Sequence, residues 1–309
     1  MKLNKLGASE LRVSEICLGS MTWGGQNSER DAQLQLDFAL DHGINFIDTA
    51  EMYPVPPAAS TYARTETYLG SWLGKQKRKR DRLVIASKVA GPGRRDWVRG
   101  GRTELMRENI TGALEDSLAR LKTDYLDLYQ IHWPGRNVPM FGETRFDPAR
   151  EAPAVPILEQ IETMAGLIQA GKIRHYGLSN ETTWGLCEFL RLARAHGLPP
   201  PLTIQNCYSL VNRMFDADLA EASFREKLPL LAYSPLAMGL LTGKFSGGAK
   251  PPRARLALYA DFGERYKRER ARAAAEEYCQ LAQSRGLSLA QMALAFVRTR
   301  WFVASTIVG

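Results

Sequence analysis

Long apolar runs are missing from this sequence, and no hydrophobic stretch reaches the length of a membrane-spanning helix. The opening residues, MKLNKLGASE, lack the apolar core of a signal peptide, so a cytoplasmic location is expected. Cysteine is scarce. Cys17, Cys187, Cys207 and Cys279 are scattered without metal-binding or redox spacing, which points to free thiols in a reducing compartment and to no metal site. Nucleic-acid motifs are also lacking. The net charge of +8 is partly concentrated in KQKRKRDR at 75–82. No aromatic residues interleave with that cluster, so a solvated surface turn is expected rather than a nucleic-acid contact. A basic protein also attracts a multiply phosphorylated small molecule.

What is present is a repeated cycle of strand and helix. With 45% hydrophobic residues there is ample material for a core. Residues 3–14 alternate around GAS and read as a β-hairpin. ICLGSMTWGG is a strand running into a Gly-rich loop, and Ser28 with Asp31 starts a helix that Gly43 ends. NFIDTA, LVIASKV, LDLYQIHW, KIRHYGLSN, LTIQNCY, LPLLAYSPL and FVASTIVG supply seven more strands, with helical patterns between them. In the helix after LVIASKV, placed at 103–121, Met106, Ile110, Ala113, Leu114, Leu118 and Leu121 mark the buried stripe. Eight strand-then-helix units, the last without its helix, predict an α/β fold: one (β/α)8 TIM barrel over residues 1–309 with an N-terminal hairpin. An open doubly wound sheet would want a Gly-rich fingerprint, and GPGRRD at 91–96 has only its first two glycines. The connection at 133–153 is unusually long. It carries Trp133, Met140 and Phe141 and is expected to overhang the barrel mouth as a substrate-recognition loop.

Barrel enzymes carry their chemistry at the C-terminal ends of the strands. Four polar residues stand at such ends: Asp48 and Tyr53 after the second strand, Lys88 in the third and His132 after the fourth. Tyr53 is the candidate general acid. A free phenol ionises near pH 10, and a neighbouring ammonium pulls that value down, which is the role expected of Lys88. Asp48 would pair with Lys88, whose charge is costly to bury alone. His132 would hydrogen-bond and orient a substrate oxygen. Singly, each of these residues reads as an ordinary packed or solvated side chain. Together, on three successive strands, they read as a proton-donating site.

The set GSMTWG, FIDTAEMY, ASKV, DLYQIHW, GLSN, TIQNCYSL and AYSPLAMGLLTGK resembles the aldo-keto reductase family from the hairpin to the last residue. AEMYPVPP, ETYLGSWL, IHWPGR and SNET are most similar to its bacterial Tas-type branch. The resemblance implies an NADPH-dependent reductase of small carbonyl compounds, with Asp48, Tyr53, Lys88 and His132 as its catalytic tetrad. It implies that Ser179, Asn180 and Gln205 bind the nicotinamide amide and that Tyr233 stacks on the ring. Ser234, Pro235, Leu236, Gly239, Leu241 and Lys244 would cover the pyrophosphate, and Ser20, Met21, Trp23 and Asp48 would complete the cofactor contacts. In the family a segment after the eighth strand grips the adenosine and its 2′-phosphate. This sequence stops at Gly309, so the preference for NADPH rests on the resemblance.

Three other readings are open to the same residues. GLLTGKF at 239–245 looks like a phosphate-binding Walker loop, but it is one residue short and has Phe245 where a magnesium-binding hydroxyl belongs. A regulatory barrel without chemistry shares the family fold, and the intact tetrad argues against it. A Schiff-base lyase would use Lys88 as nucleophile. No partner protein is implied, and the sequence does not fix an oligomeric state.

Overall fold

The computed structural model of the chain describes residues 1–75, 77–93, 96–259 and 262–309, with the side chains of 77–79 also left out. Part of the basic cluster at 75–82 and part of GPGRRD therefore lie outside the described residues.

Two strands open the chain: β1 (Leu3–Lys5) pairs antiparallel with β2 (Arg12–Ser14) as the expected hairpin. Eight parallel strands then close on themselves: β3 (Ile16–Gly19), β4 (Phe46–Asp48), β5 (Val84–Val89), β6 (Leu126–Ile131), β7 (Ile173–Ser179), β8 (Ile204–Cys207), β9 (Leu230–Tyr233) and β10 (Val303–Val308). β10 pairs with both β9 and β3, which seals the barrel. Side chains alternate along a strand, so every second residue points inward. Cys17, Phe46, Val84, Ala86, Leu128, Leu231 and Ala304 fill the interior, and Leu6 and Val13 of the hairpin join the same cluster. The hairpin thus stoppers the end of the barrel opposite the strand C-termini.

Between the strands run α1 (Glu29–Asp41), α2 (Arg64–Lys75), α3 (Arg107–Leu121), α4 (Ile157–Gln169), α5 (Thr183–Ala195) and α6 (Leu219–Glu226). After β9 come two single turns, α7 (Arg255–Leu258) and α8 (Glu264–Lys267), then α9 (Glu269–Ser284) and α10 (Leu289–Arg298). α1 starts where the sequence predicts, with Ser28 and Asp31 forming a reciprocal capping box. α3 buries Ile110, Ala113, Leu114, Leu118 and Leu121. Met106, expected in that stripe, is instead the residue before the helix and is 39% exposed. The helix begins later than residue 103 because Thr103 and Glu104 belong to the lead-in loop.

α2 and α3 meet at Gly70. A Cβ there would overlap the carbonyl oxygen of Arg120, so the two helices approach as closely as they do only because residue 70 has no side chain.

The 134–156 connection leaves β6 and carries one short turn, Pro148–Arg150. It folds back across the C-terminal end of the barrel, where Phe141 meets Trp133 edge to face at 6.1 Å between ring centres.

Candidate active site

The interior alternation that fills the barrel with aliphatic residues changes character at the strand ends. Phe46 is followed two residues later by Asp48, Val84 and Ala86 by Lys88, and Leu128 by Gln130 and His132. The same inward face therefore turns from oily to polar over one layer. Lys88 is fully buried, and Asp48 is 2% exposed. Lys88 Nζ donates to Asp48 Oδ2 at 2.6 Å, to the Thr49 carbonyl at 2.8 Å and to Tyr53 Oη at 3.3 Å. A buried ammonium is tolerated only with such partners.

Tyr53 lies five residues beyond β4's last residue, with its ring edge-to-face against His132 at 5.7 Å. Burial pushes the phenol above its ordinary value; Lys88 opposes that, and Asp48 adds to it. The outcome differs from the sequence expectation. Lys88 offsets the cost of burying the phenol rather than bringing its ionisation toward neutrality, so the hydroxyl holds its proton. Burial by itself would lower the Lys88 ammonium's pKa, but Asp48 and Tyr53 raise it on balance.

Above this layer opens a cavity of about 850 Å³, within the range of small-molecule and cofactor sites. Asp48, Tyr53, His132, Ser179, Asn180, Gln205, Tyr233, Ser234, Pro235, Leu236, Gly239 and Lys244 all line it, as does Met21. Lys88 lies behind that lining. Ser20, Trp23 and Leu241 do not line it either. All three are fully buried: Ser20 Oγ donates to the Asp48 carbonyl, and Trp23 Nε1 donates to Gln35. Leu241 packs with Leu240 and Tyr266 under the loop. Met21 reaches the cavity together with Thr22, while Ser20 and Trp23 are buried behind them.

The turn after β7 is held from several sides. Asn180, in the left-handed region at φ 55°, donates to the His132 carbonyl at 2.9 Å and accepts from Tyr233 Oη at 2.7 Å. Next to it Glu181, 4% exposed, takes a two-pronged ion pair from Arg136 of the long connection. On the other side of the site, buried Glu51 accepts from Arg99 and the Ala90 amide. That pair ties the loop after β5 to the segment carrying Tyr53.

The structure adds cavity residues that the sequence did not single out, notably Arg253, Arg255, Arg265 and Phe262. They come from the long aperiodic stretch after β9, where no spacing rule assigns a direction to a side chain. Burial lowers the pKa of Arg255, so its charge is held in a poorly solvated wall and gains from an anion. Residues 234, 237, 238 and 239 all have positive φ, and the turn closes on itself, the Ala237 and Gly239 amides donating to the Ser234 and Leu236 carbonyls. A Cβ on Gly239 would come within 2.8 Å of Lys244 Nζ, so the bare glycine leaves that ammonium its place. Cations and side-chain amides around the cavity suit a dinucleotide with a pyrophosphate.

The aldo/keto reductase family profile matches residues 15–309. Protein tas of Escherichia coli is 51% identical over 311 residues, covering all of this chain and 89% of that protein. An aldo-keto reductase of Babesia bovis is 38% identical over 74% of this chain and 85% of its own length. The oxidoreductase YrpG of Bacillus subtilis, itself uncharacterised, is 32% identical over the whole chain and 87% of its own length. Barrel, strand-end layer and sequence agree: the chain belongs to the aldo/keto reductase family.

Proposed function

We propose that this chain is an NADPH-dependent reductase that converts small aldehydes or ketones to alcohols. The observation that carries the reading is Lys88 Nζ, shared between Asp48 and Tyr53 at the floor of a cavity lined by amides and cations. When bound, a reduced nicotinamide dinucleotide would be the source of the hydride for the carbonyl carbon. Tyr53 Oη holds the proton that the carbonyl oxygen takes up; a phenol keeps it at neutral pH, and burial strengthens that hold. Lys88 stabilises the phenolate left behind, and Asp48 keeps the ammonium aimed. His132 orients the carbonyl oxygen across from Tyr53.

Ser179, Asn180 and Gln205 would hold the nicotinamide amide, and Tyr233 would give it a flat surface. Lys244, Arg253, Arg255 and Arg265, all at the cavity, would neutralise the dinucleotide's phosphates. Met21, Val55, Trp133 and Phe141 give the carbonyl side of the cavity an apolar wall, and the 134–152 loop sets which substrate fits. Lys88 is engaged by three partners, which disfavours a Schiff-base role for it.

The test is oxidation of NADPH and NADH, followed by absorbance, against a panel of aldehydes and ketones. Turnover that requires NADPH and collapses in Tyr53→Phe is the expected result. Failure of every carbonyl with a bound cofactor would overturn the assignment.

A further inference from the structure

The strand-end layer contains one polar residue that neither the family resemblance nor the proposed reaction uses. Gln130 lies on β6 between Leu128 and His132 on the inward face, and it is fully buried. In register it stands beside Lys88 on one side and Gly177 on the other. Gly177 contributes no side chain to the layer: a Cβ there would meet Thr203 Oγ1 at 2.5 Å and reach ordinary contact with Gln130 Cγ at 3.4 Å, so Gln130 packs against bare backbone in the space that remains. An aliphatic side chain would fill it without the cost of desolvating an amide.

The hydrogen bonds show what the amide does. Gln205 Nε2 donates to Asp48 Oδ1 at 2.8 Å and to Gln130 Oε1 at 3.1 Å. Gln130 Nε2 donates to the same Asp48 oxygen at 3.3 Å. An ionised carboxylate only accepts, so both amides must turn nitrogen toward Asp48. Once Gln130 has done so, its own oxygen faces Gln205 and binds the second hydrogen of that nitrogen. Gln205 then has a single orientation. Its NH₂ is spent on Asp48 and Gln130, and its carbonyl oxygen is the polar atom left for the cavity that Gln205 lines. Asp48 alone would leave the amide one loose hydrogen and a broader choice of rotamers.

We infer that Gln130 is a positioning residue for cofactor binding: it locks the Gln205 amide so that an acceptor, not a donor, meets the nicotinamide carboxamide. This rests on the reading of the cavity as a nicotinamide site. A fixed acceptor selects the carboxamide orientation that turns its NH₂ toward β8. The same three-way contact joins the cofactor's amide to Asp48, and through Asp48 to Lys88 and Tyr53, by consecutive hydrogen bonds.

The experiment compares two ligands on Gln130→Met and Gln130→Leu, each checked for folding by circular dichroism. NADPH carries the carboxamide; 2′-phospho-ADP-ribose is the same molecule without the nicotinamide. Loss of one neutral hydrogen bond weakens NADPH by about three- to tenfold in both variants. The fragment's affinity stays within about twofold, the usual scatter of independent effects. Gln130→Met added to Gln205→Met costs NADPH nothing beyond Gln205→Met alone, because Gln130 acts through that amide. Equal weakening of both ligands, no weakening of either, or an additive double variant overturns the inference and leaves the nicotinamide site standing. Wild-type protein that binds NADPH no more tightly than the fragment overturns the nicotinamide reading and the inference with it.

Discussion

Tyr53 is the residue on which the proposed reaction turns. Tyr53→Phe keeps the ring against His132 and removes only the hydroxyl. Its turnover should fall by about 10² to 10⁴, the worth of a general acid, with NADPH affinity little changed in a fluorescence titration. Near-normal turnover would remove Tyr53 from the chemistry. Lys88→Met acts on the same proton from behind. Without the ammonium, burial and Asp48 both push the phenol further up, so the alkaline limb of the rate profile should move to higher pH as the rate drops. Asp48 would also be left buried without its ion pair, which costs about 3 to 5 kcal/mol in unfolding stability. An unmoved alkaline limb would show that Lys88 does not tune the phenol. The meeting of Asp48, Lys88 and His132 was legible because strand ends and inward parity bring them to one layer, whereas Tyr53 lies on the loop after β4, where parity does not reach, and only its motif singled it out. The same parity reaches Gln130 from Leu128 and His132, but a glutamine in a strand carries no chemical signal until its partners are seen. Arg253, Arg255 and Arg265 were illegible for a different reason: their segment has no period, and only tertiary contacts aim them at the cavity.

Among the elements, the strands were the most readable, because their apolar runs are buried on both sides and bounded by turn chemistry. Helix ends were read well where a cap is local, as with Ser28 and Asp31. They were misread where the lead-in loop imitates a helical pattern, as at Met106. Contacts between helices left no mark in either. Gly70 reads simply as a weak helix residue, and on propensity alone Gly70→Ala should stabilise α2 by about 1 kcal/mol. The structure reverses the sign. The new methyl group would overlap a backbone carbonyl of α3, which cannot swing away as a side chain tip could. Overpacking of this kind costs about 1 to 3 kcal/mol, so the net effect is a loss. The check is the urea midpoint of Gly70→Ala, which should fall with an unchanged slope. A raised midpoint would mean that α2 and α3 separate freely.

Across the whole molecule, the polar layer near the mouth and the helix-covered wall bury several phenols. Tyr129 and Tyr176 are fully buried and Tyr266 nearly so, and burial raises the pKa of each above the ordinary tyrosine value. In the unfolded chain the same groups ionise near pH 10. Between that value and their folded-state values the native protein holds protons that the unfolded chain has released. Their contribution to stability is therefore intact below about pH 10 and declines as the pH rises above it. Each such phenol contributes a slope of about 1.4 kcal/mol per pH unit, so three together make the decline steep. Lys88 works in the same direction, since its folded-state pKa is also raised. The expectation is a urea midpoint that begins to fall at about pH 9, where the unfolded chain releases the proton that the buried Cys17 thiol keeps, and falls sharply from about pH 10 to 11.5. Phenolate absorbance should rise in two stages, exposed tyrosines first and the buried ones together with loss of the circular dichroism signal. Gradual ionisation of every tyrosine ahead of unfolding would show that the phenols of the wall are reached by water in the native state. A midpoint constant through pH 11.5 would show that their ionisation does not limit the fold.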